Sequence, residues 1–447
     1  MKNRKTNDPC PQIYAERFGE LGMRKLYAAL IVVVLFSFFF GYVATHDSGN
    51  DNSNKQGTSP VSQDENKTGA KEGDPLKEQI STMTLQEKVG QMVMVGLDSF
   101  ENNAHSQDLI ENYQVGGFVF FEKNIKDAYQ LRTLLHSLIE TNAKVNKIPL
   151  FLSVDEEGGK ISRMPDEFAS IPSSGTIGQI NNPALSFQVG NLIGDELQLL
   201  GFNMNFGPVL DINSNPQNPV IGDRAFGSES ALVSKLGIET MKGLQAQNVI
   251  SVVKHFPGHG DTSVDSHLGL PKVNHDLERL KSFELLPFAE AIDNDVDAIM
   301  TGHLLMSQID PLNPASLSST VINDLLREQM AYDSVVLTDD LTMGAISENF
   351  EMGEAAVKAI KAGNDIILVC HEYAKEKAAL QALQKAVRQG DISEERIDES
   401  VYRILKLKQK YNFSEPADSL VEVKGLEVKI AEINQRIKKL FEGIYGE

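Results

Sequence analysis

The amino-acid sequence predicts an α/β protein, a single (β/α)8 TIM-type barrel preceded by a transmembrane helix and a polar tether. Three observations carry this expectation. Eight short apolar runs rich in Val and Ile read as buried strands. Stretches of helical period lie between most of them, and polar clusters close nearly every run at its C-terminal end. Strand–helix alternation repeated eight times argues for a parallel sheet covered by helices. An open doubly wound sheet is the rival. Eight strands in about 300 residues, with polar strand ends, favour the closed barrel.

The elements follow in chain order. Residues 1–25 contain Lys2, Arg4, Lys5, Arg17, Arg24 and Lys25 and read as a cytoplasmic tail. Residues 26–44, LYAALIVVVLFSFFFGYVA, are uncharged. As a helix that length crosses a bilayer core. Basic residues stay inside, so the bulk of the chain is expected outside a bacterial cell membrane as a single-pass protein. Secretion after signal cleavage is the alternative. The run is long for a signal peptide, its exit VATHDSG has no Ala-x-Ala site, and no Cys follows to accept lipid.

Residues 45–76 are polar, rich in Gly, Ser and Asn, and nearly free of aliphatics, as a flexible tether is. Thr84-Leu85-Gln86-Glu87 forms a capping box at the start of the folded region. A barrel is assigned to 77–412, with strands expected at 89–97, 115–121, 149–155, 202–212, 249–255, 297–303, 333–340 and 365–370. Helices are expected over Leu277–Ile292, and from Glu354 to Ala362 with Gly363 ending the latter. Residues 413–447 are a helical extension. Leu426, Ile430, Ile433, Ile437, Leu440 and Ile444 recur at steps of four and three, an apolar stripe. That stripe fits a helix docked on the barrel; a coiled coil needs more heptads.

Composition narrows the partners. The 447 residues include 42 Lys and Arg against 62 Asp and Glu, a net charge of −20. Such a surface repels nucleic acid, so none is expected as partner. A monomer is expected. The two cysteines, Cys10 and Cys370, fall on opposite sides of the expected membrane span and show no metal-ligand spacing.

Chemistry concentrates in four clusters after strands. The densest runs from Lys254 through His255, His259, Asp261 and Asp265 to His267: three His, two Asp and a Lys within fourteen residues. Pro257, Gly258 and Gly260 force a loop there. A metal site competes, but the spacing fits no zinc pattern and Lys254 would repel a cation. No metal and no organic cofactor are expected. The second cluster is Thr338-Asp339-Asp340-Leu341. The third is Asp155-Glu156-Glu157-Gly158-Gly159 with Arg163 beyond it. The fourth is Gly222-Asp223-Arg224-Ala225-Phe226-Gly227. A carboxylate at the C-terminal end of a barrel strand reads as catalytic. Four such clusters converge on one pocket.

The segments KHFPGHGDTxxDSH, TDDLTMGAI, VDEEGGxxxR and IGDRAFG resemble the signatures of glycoside hydrolase family 3, and within it the bacterial β-N-acetylhexosaminidase branch. The likeness runs from about Met83 to Tyr411. It implies a retaining exo-β-N-acetylglucosaminidase. The family nucleophile matches Asp339; the sequence alone does not separate its role from that of Asp340. The acid/base matches His267, with Asp265 orienting the imidazole, a departure from the usual pair of carboxylates. Asp155 resembles the residue that accepts hydrogen bonds from sugar hydroxyls. Arg163, Arg224, Lys254 and His255 resemble those that fix hydroxyls and the 2-acetamido group. Lys160 stands where many relatives carry Arg and reads as peripheral. After Tyr411 the chain is too short for the second sandwich domain of larger family members. The loop from Gly258 to Leu268 is therefore expected to bring His267 to the site. An extracytoplasmic location points to a glycan substrate, peptidoglycan or chitin-type fragments. A phosphorylase, for which an uncharged His267 leaves room, and a catalytically silent sugar-binding receptor are the alternatives.

Overall fold

The computed structural model describes residues 74–263, 265–266, 269–413 and 425–445. The expected transmembrane run 26–44, most of the tether, Cys10 and His267 lie outside the described residues. Among the described residues no helix is long and apolar enough to cross a membrane.

All eight expected strands form. They are β1 (Val93–Gly96), β2 (Gly117–Phe120), β3 (Phe151–Val154), β4 (Met204–Asn205), β5 (Ile250–Phe256), β6 (Ala298–Thr301), β7 (Val335–Asp340) and β8 (Ile366–Val369). Each pairs in parallel with its sequence neighbours, and β1 pairs with β8 to close the barrel. Nearly every strand residue is buried on both faces, inside by barrel packing and outside by helices, which explains the continuous apolar runs.

Several boundaries differ from the sequence reading. Residues 89–91, expected to open the first strand, belong to the helix Leu85–Gln91 that the capping box starts. The first described helix, Pro75–Thr82, begins inside the expected tether and ahead of the capping box, which the structure confirms at Thr84 and Glu87. Strand β4 pairs over two residues rather than eleven. Pro208 has no N–H to donate, and pairing resumes only as a bridge between Val209 and Lys254. The helix expected over Leu277–Ile292 is two, Leu277–Ser282 and Leu286–Asp293, because Pro287 cannot continue the first and instead opens the second.

The two ends of the barrel use carboxylates differently. At the N-terminal end, Asp297 and Asp365 are saturated. Asp297 binds Lys410 at 2.6 Å and Tyr411 at 2.5 Å. Asp365 accepts from Arg327 at 2.5 Å and Ser400 at 2.7 Å. Lys408 is buried on the same side, donating to Gln91, Gly116 and Pro149. These contacts fasten helices under the barrel, the stability role of that face.

The C-terminal helix Leu426–Tyr445 docks as expected. Leu426, Ile430, Ile433, Ile437 and Phe441 are buried. Leu440 is only half-buried, so the stripe turns onto Phe441. Asn434 donates to the Glu167 carbonyl and accepts from the Ala169 N–H. The helix thereby braces the long segment after β3.

Candidate active site

The C-terminal mouth of the barrel gathers the clusters. Asp155 directly follows β3, and the chain turns back through Gly158 and Gly159, at φ 76° and 60°. A side chain at Gly158 would meet the Pro172 carbonyl at 2.6 Å, and one at Gly159 would meet Ser173 Cβ at 2.6 Å. Only glycine fits both the left-handed backbone and the close approach.

Glu156 holds this turn. Its carboxylate accepts from the Gly158 N–H at 3.2 Å, the Ser162 hydroxyl at 2.8 Å and the Arg163 N–H at 2.7 Å. The Asn205 amide brackets its main chain, accepting from the Glu156 N–H and donating to its carbonyl. Burial pushes the Glu156 carboxyl up to about 7 against these donors. Arg163 itself bonds the Ser162 carbonyl through its guanidinium and forms no ion pair among the described residues.

Lys254, on β5, lies 2.5 Å from Asp155 and 2.7 Å from Glu157. Arg224 meets Glu157 in a bidentate fork at 2.8 and 2.7 Å. Lys254 and Glu157 are nearly inaccessible, while Arg224 keeps a small exposed fraction. Burial opposes charge on Glu157, yet Lys254 and Arg224 overcome it and hold that carboxyl far below the carboxylate range. Burial likewise opposes charge on Lys254 and Arg224, and the acids raise both pKa values. The result is two fixed cations, with Asp155 partly accessible beside Lys254. Such a set suits bidentate recognition of neighbouring hydroxyls. Lys160 pairs with Asp223 at 3.0 Å on the exposed rim, outside the network.

His255 follows Lys254 on the same strand. Its Nδ1 lies 2.6 Å from Asp211 Oδ2, and its N–H donates to Oδ1 of the same residue. Asp211 is fully buried and also accepts from the His259 N–H at 2.6 Å. Burial opposes its charge, while His255 and His259 lower its pKa. The carboxylate therefore accepts a hydrogen bond from the Nδ1–H of His255 and orients the ring. The Lys254–His255 and Phe256–Pro257 peptide bonds are cis.

The structure separates the adjacent aspartates at the end of β7. Asp340 is buried, and its carboxylate is occupied by the Thr342 N–H at 3.0 Å, the Thr342 hydroxyl at 2.6 Å and the Cys370 N–H at 3.0 Å. Asp339 stays partly accessible and accepts only the Asp340 N–H, at 2.8 Å, among described residues. Desolvation disfavours its charge, but His303, His255, that N–H and Lys254 outweigh it and lower its pKa. A charged carboxylate with a free oxygen has the chemical form that a nucleophile needs.

The loop after β5 begins with His259, whose Nδ1 meets Thr262 at 2.8 Å and whose Nε2 meets Ser266 at 3.3 Å. Burial drives His259 down to about 4, so the ring is neutral. Asp265 is half-buried, and its carbonyl accepts from Gly269. The Ser266 carbonyl accepts from the Ala345 N–H at 3.1 Å. Ser266, next to residue 267, is thus tied to the segment that follows Asp339. Further along, His275 reaches Asp261 at 2.6 Å. Among the described residues no group of three or more His, Cys, Asp or Glu is arranged to hold a metal ion.

Of the expected site residues, Asp155, Arg224, Lys254, His255 and Asp339 converge. Arg163 sits on the same turn as Asp155. Three further residues belong to the site. Glu157 lies in the cluster after β3, but its role as the shared partner of two cations follows only from the geometry. Asp211 and His303 each close an expected strand with a polar side chain, the same signal that marked Asp339.

A family model described as the glycosyl hydrolase family 3 N terminal domain matches residues 84–407. Beta-hexosaminidase A of Pseudoalteromonas piscicida is 36% identical over 327 residues, 68% of this chain and 54% of that protein. The chain thus spans about half the length of that relative. A beta-hexosaminidase of Idiomarina loihiensis is 33% identical over 65% of this chain and 87% of its own. The solved structure of a glycoside hydrolase family 3 β-N-acetylglucosaminidase from Paenibacillus sp. str. FPU-7 matches with a TM-score of 0.75 and 44% identity. That match covers 80% of this chain and 69% of that one.

Proposed function

Because the chain belongs to glycosyl hydrolase family 3, we propose that it is a retaining exo-β-N-acetylglucosaminidase. The observation that carries this reading is the division of labour at the end of β7. Asp340 is consumed by Thr342 and Cys370, while Asp339 keeps a partly accessible carboxylate that the fields of His303, His255 and Lys254 hold charged.

In the first step Asp339 attacks the anomeric carbon, the glycosidic C–O bond breaks, and His267 protonates the departing oxygen. Asp265 steadies the imidazole and its charged form. In the second step His267 takes a proton from water as that water attacks the anomeric carbon and releases Asp339. Asp155 accepts from a sugar hydroxyl. Arg163, Arg224, Lys254 and His255 fix the remaining hydroxyls and the 2-acetamido group. The attachment of Ser266 to Ala345 supports delivery of the acid/base loop to the nucleophile's side. Relatives named beta-hexosaminidase and a β-N-acetylglucosaminidase structure support the acetamido sugar as substrate.

The uncharged run 26–44 with basic residues before it supports a single membrane anchor and an extracytoplasmic barrel. That placement favours peptidoglycan fragments as the natural glycan.

Residues 73–447 assayed on p-nitrophenyl N-acetyl-β-glucosaminide, β-glucoside and β-xyloside, with and without phosphate, test the reading. Phosphate-independent release from the acetamido sugar alone supports it. Release only with phosphate makes the protein a phosphorylase, and no release from any makes it a sugar-binding receptor.

A further inference from the structure

His303 stands just past β6, buried, with both ring nitrogens engaged. Nε2 lies 2.9 Å from the Asp340 main-chain oxygen, and Nδ1 lies 2.7 Å from Ser316 Oγ. A carbonyl oxygen only accepts, so Nε2 carries the proton, and Nδ1 accepts from the Ser316 hydroxyl. Burial lowers the pKa of the ring despite Asp339 and Asp340 nearby, in keeping with a neutral imidazole.

Ser316 is itself fixed. Its N–H donates to Gly302 at 3.2 Å, and its carbonyl accepts from Asn364 at 2.8 Å. Thr301 at the end of β6 in turn donates to Asn364 at 3.1 Å. The tautomer and the direction of the ring are therefore set from β6 and from the residues before β8.

The target of this arrangement is the main chain beside Asp339. The Asp340 N–H donates to Asp339, the Asp340 carboxylate is held by Thr342 and Cys370, and its carbonyl is held by His303. Two residues beyond His303, the strand Leu305–Met306 pairs with Lys272–Val273, and Leu305 donates to the Pro271 carbonyl at 2.9 Å. Those residues leave the loop that holds Asp265 and Ser266. One short segment thus grips both the nucleophile strand and the exit of the acid/base loop.

Resting on Asp339 as nucleophile, we infer that His303 is a positioning residue. Its Nε2–H fixes the Asp339–Asp340 main chain, and its segment references the nucleophile to the acid/base loop. A 1 Å misplacement at a reacting atom costs on the order of a hundredfold.

The test compares His303→Phe, which fills the space without a donor, with His303→Gln, which keeps an N–H near the Nε2 position. On p-nitrophenyl N-acetyl-β-glucosaminide, the Phe variant is expected to lose about 30- to 100-fold in kcat, with KM within about threefold. The Gln variant is expected to recover at least about tenfold of that loss. A Phe variant with wild-type kcat, a Gln variant no better than Phe, or a loss confined to KM overturns the inference. Asp339→Asn is run beside them. If that variant stays active, the nucleophile assignment itself has failed, whatever His303 does. Should neither His303 variant fold, Ser316→Ala decides, with the ring tautomer followed by 15N NMR. A mixed tautomer with a several-fold fall in kcat supports the inference, and a mixed tautomer with unchanged kcat overturns it.

Discussion

The Asp340 N–H donates to Asp339 Oδ1 at 2.8 Å, so the buried aspartate acts on its neighbour through the backbone while its own carboxylate serves Thr342 and Cys370. Two identical side chains at adjacent positions point to opposite duties because successive strand residues face opposite sides. Asp339→Asn should lower kcat by at least about a thousandfold without changing the melting temperature. Asp340→Ala should instead leave buried donors unpaired and cost about 1–3 kcal/mol in chemical denaturation. A stable, inactive Asp340→Ala beside an active Asp339→Asn would reverse the assignment.

Glu157 joins two buried cations, Lys254 and Arg224. Removing one partner of a buried ion network leaves charge uncompensated, at about 3–5 kcal/mol. Glu157→Ala should therefore lose stability of that size in urea titration and also raise KM for the acetamido sugar. Glu157→Gln, which keeps the shape, should lose less. Equal stability of wild type and the Ala variant would mean that solvent reaches the network.

Asp211 fixes His255 through Nδ1 at 2.6 Å. A hydrogen bond to a charged group contributes about 1.5–3 kcal/mol, or about 10- to 100-fold in rate. Asp211→Asn is expected to cost that factor in kcat/KM on the acetamido sugar. Wild-type kcat/KM in a folded variant would remove His255 from the site.

Stability should carry two opposite pH signals. Asp339, Glu157 and Asp211 have lowered pKa values in the fold, so their contribution is present above the ordinary carboxylate range and lost as pH falls through the folded values. Glu376 behaves in reverse: burial pushes it up to about 8, so its contribution is full below the unfolded value and is lost as pH rises through about 8. Melting curves between pH 5 and pH 9 should fall less steeply in Glu376→Gln than in wild type. Parallel curves would show that Glu376 is already ionised at neutral pH.

Much of this architecture was legible in the sequence because each strand is buried on both faces and writes itself as an apolar run. The helix break at Pro287 and the short pairing of β4 at Pro208 were also written there, as residues that lack an N–H. What the sequence could not give was pairing across the barrel mouth. Lys254 is 99 positions from Asp155, and the lateral pairing of β3, β4 and β5 brings them to 2.5 Å. The separate duties of Asp339 and Asp340 likewise depend on where Cys370, just past β8, presents its N–H.

The most direct test of the central claim is to trap the intermediate. A slow fluorinated N-acetylglucosaminyl donor should leave one sugar residue on the peptide that contains Asp339, read by mass spectrometry, with no adduct in Asp339→Asn. A sugar attached elsewhere, or turnover whose first product has the inverted anomeric configuration, would contradict the account.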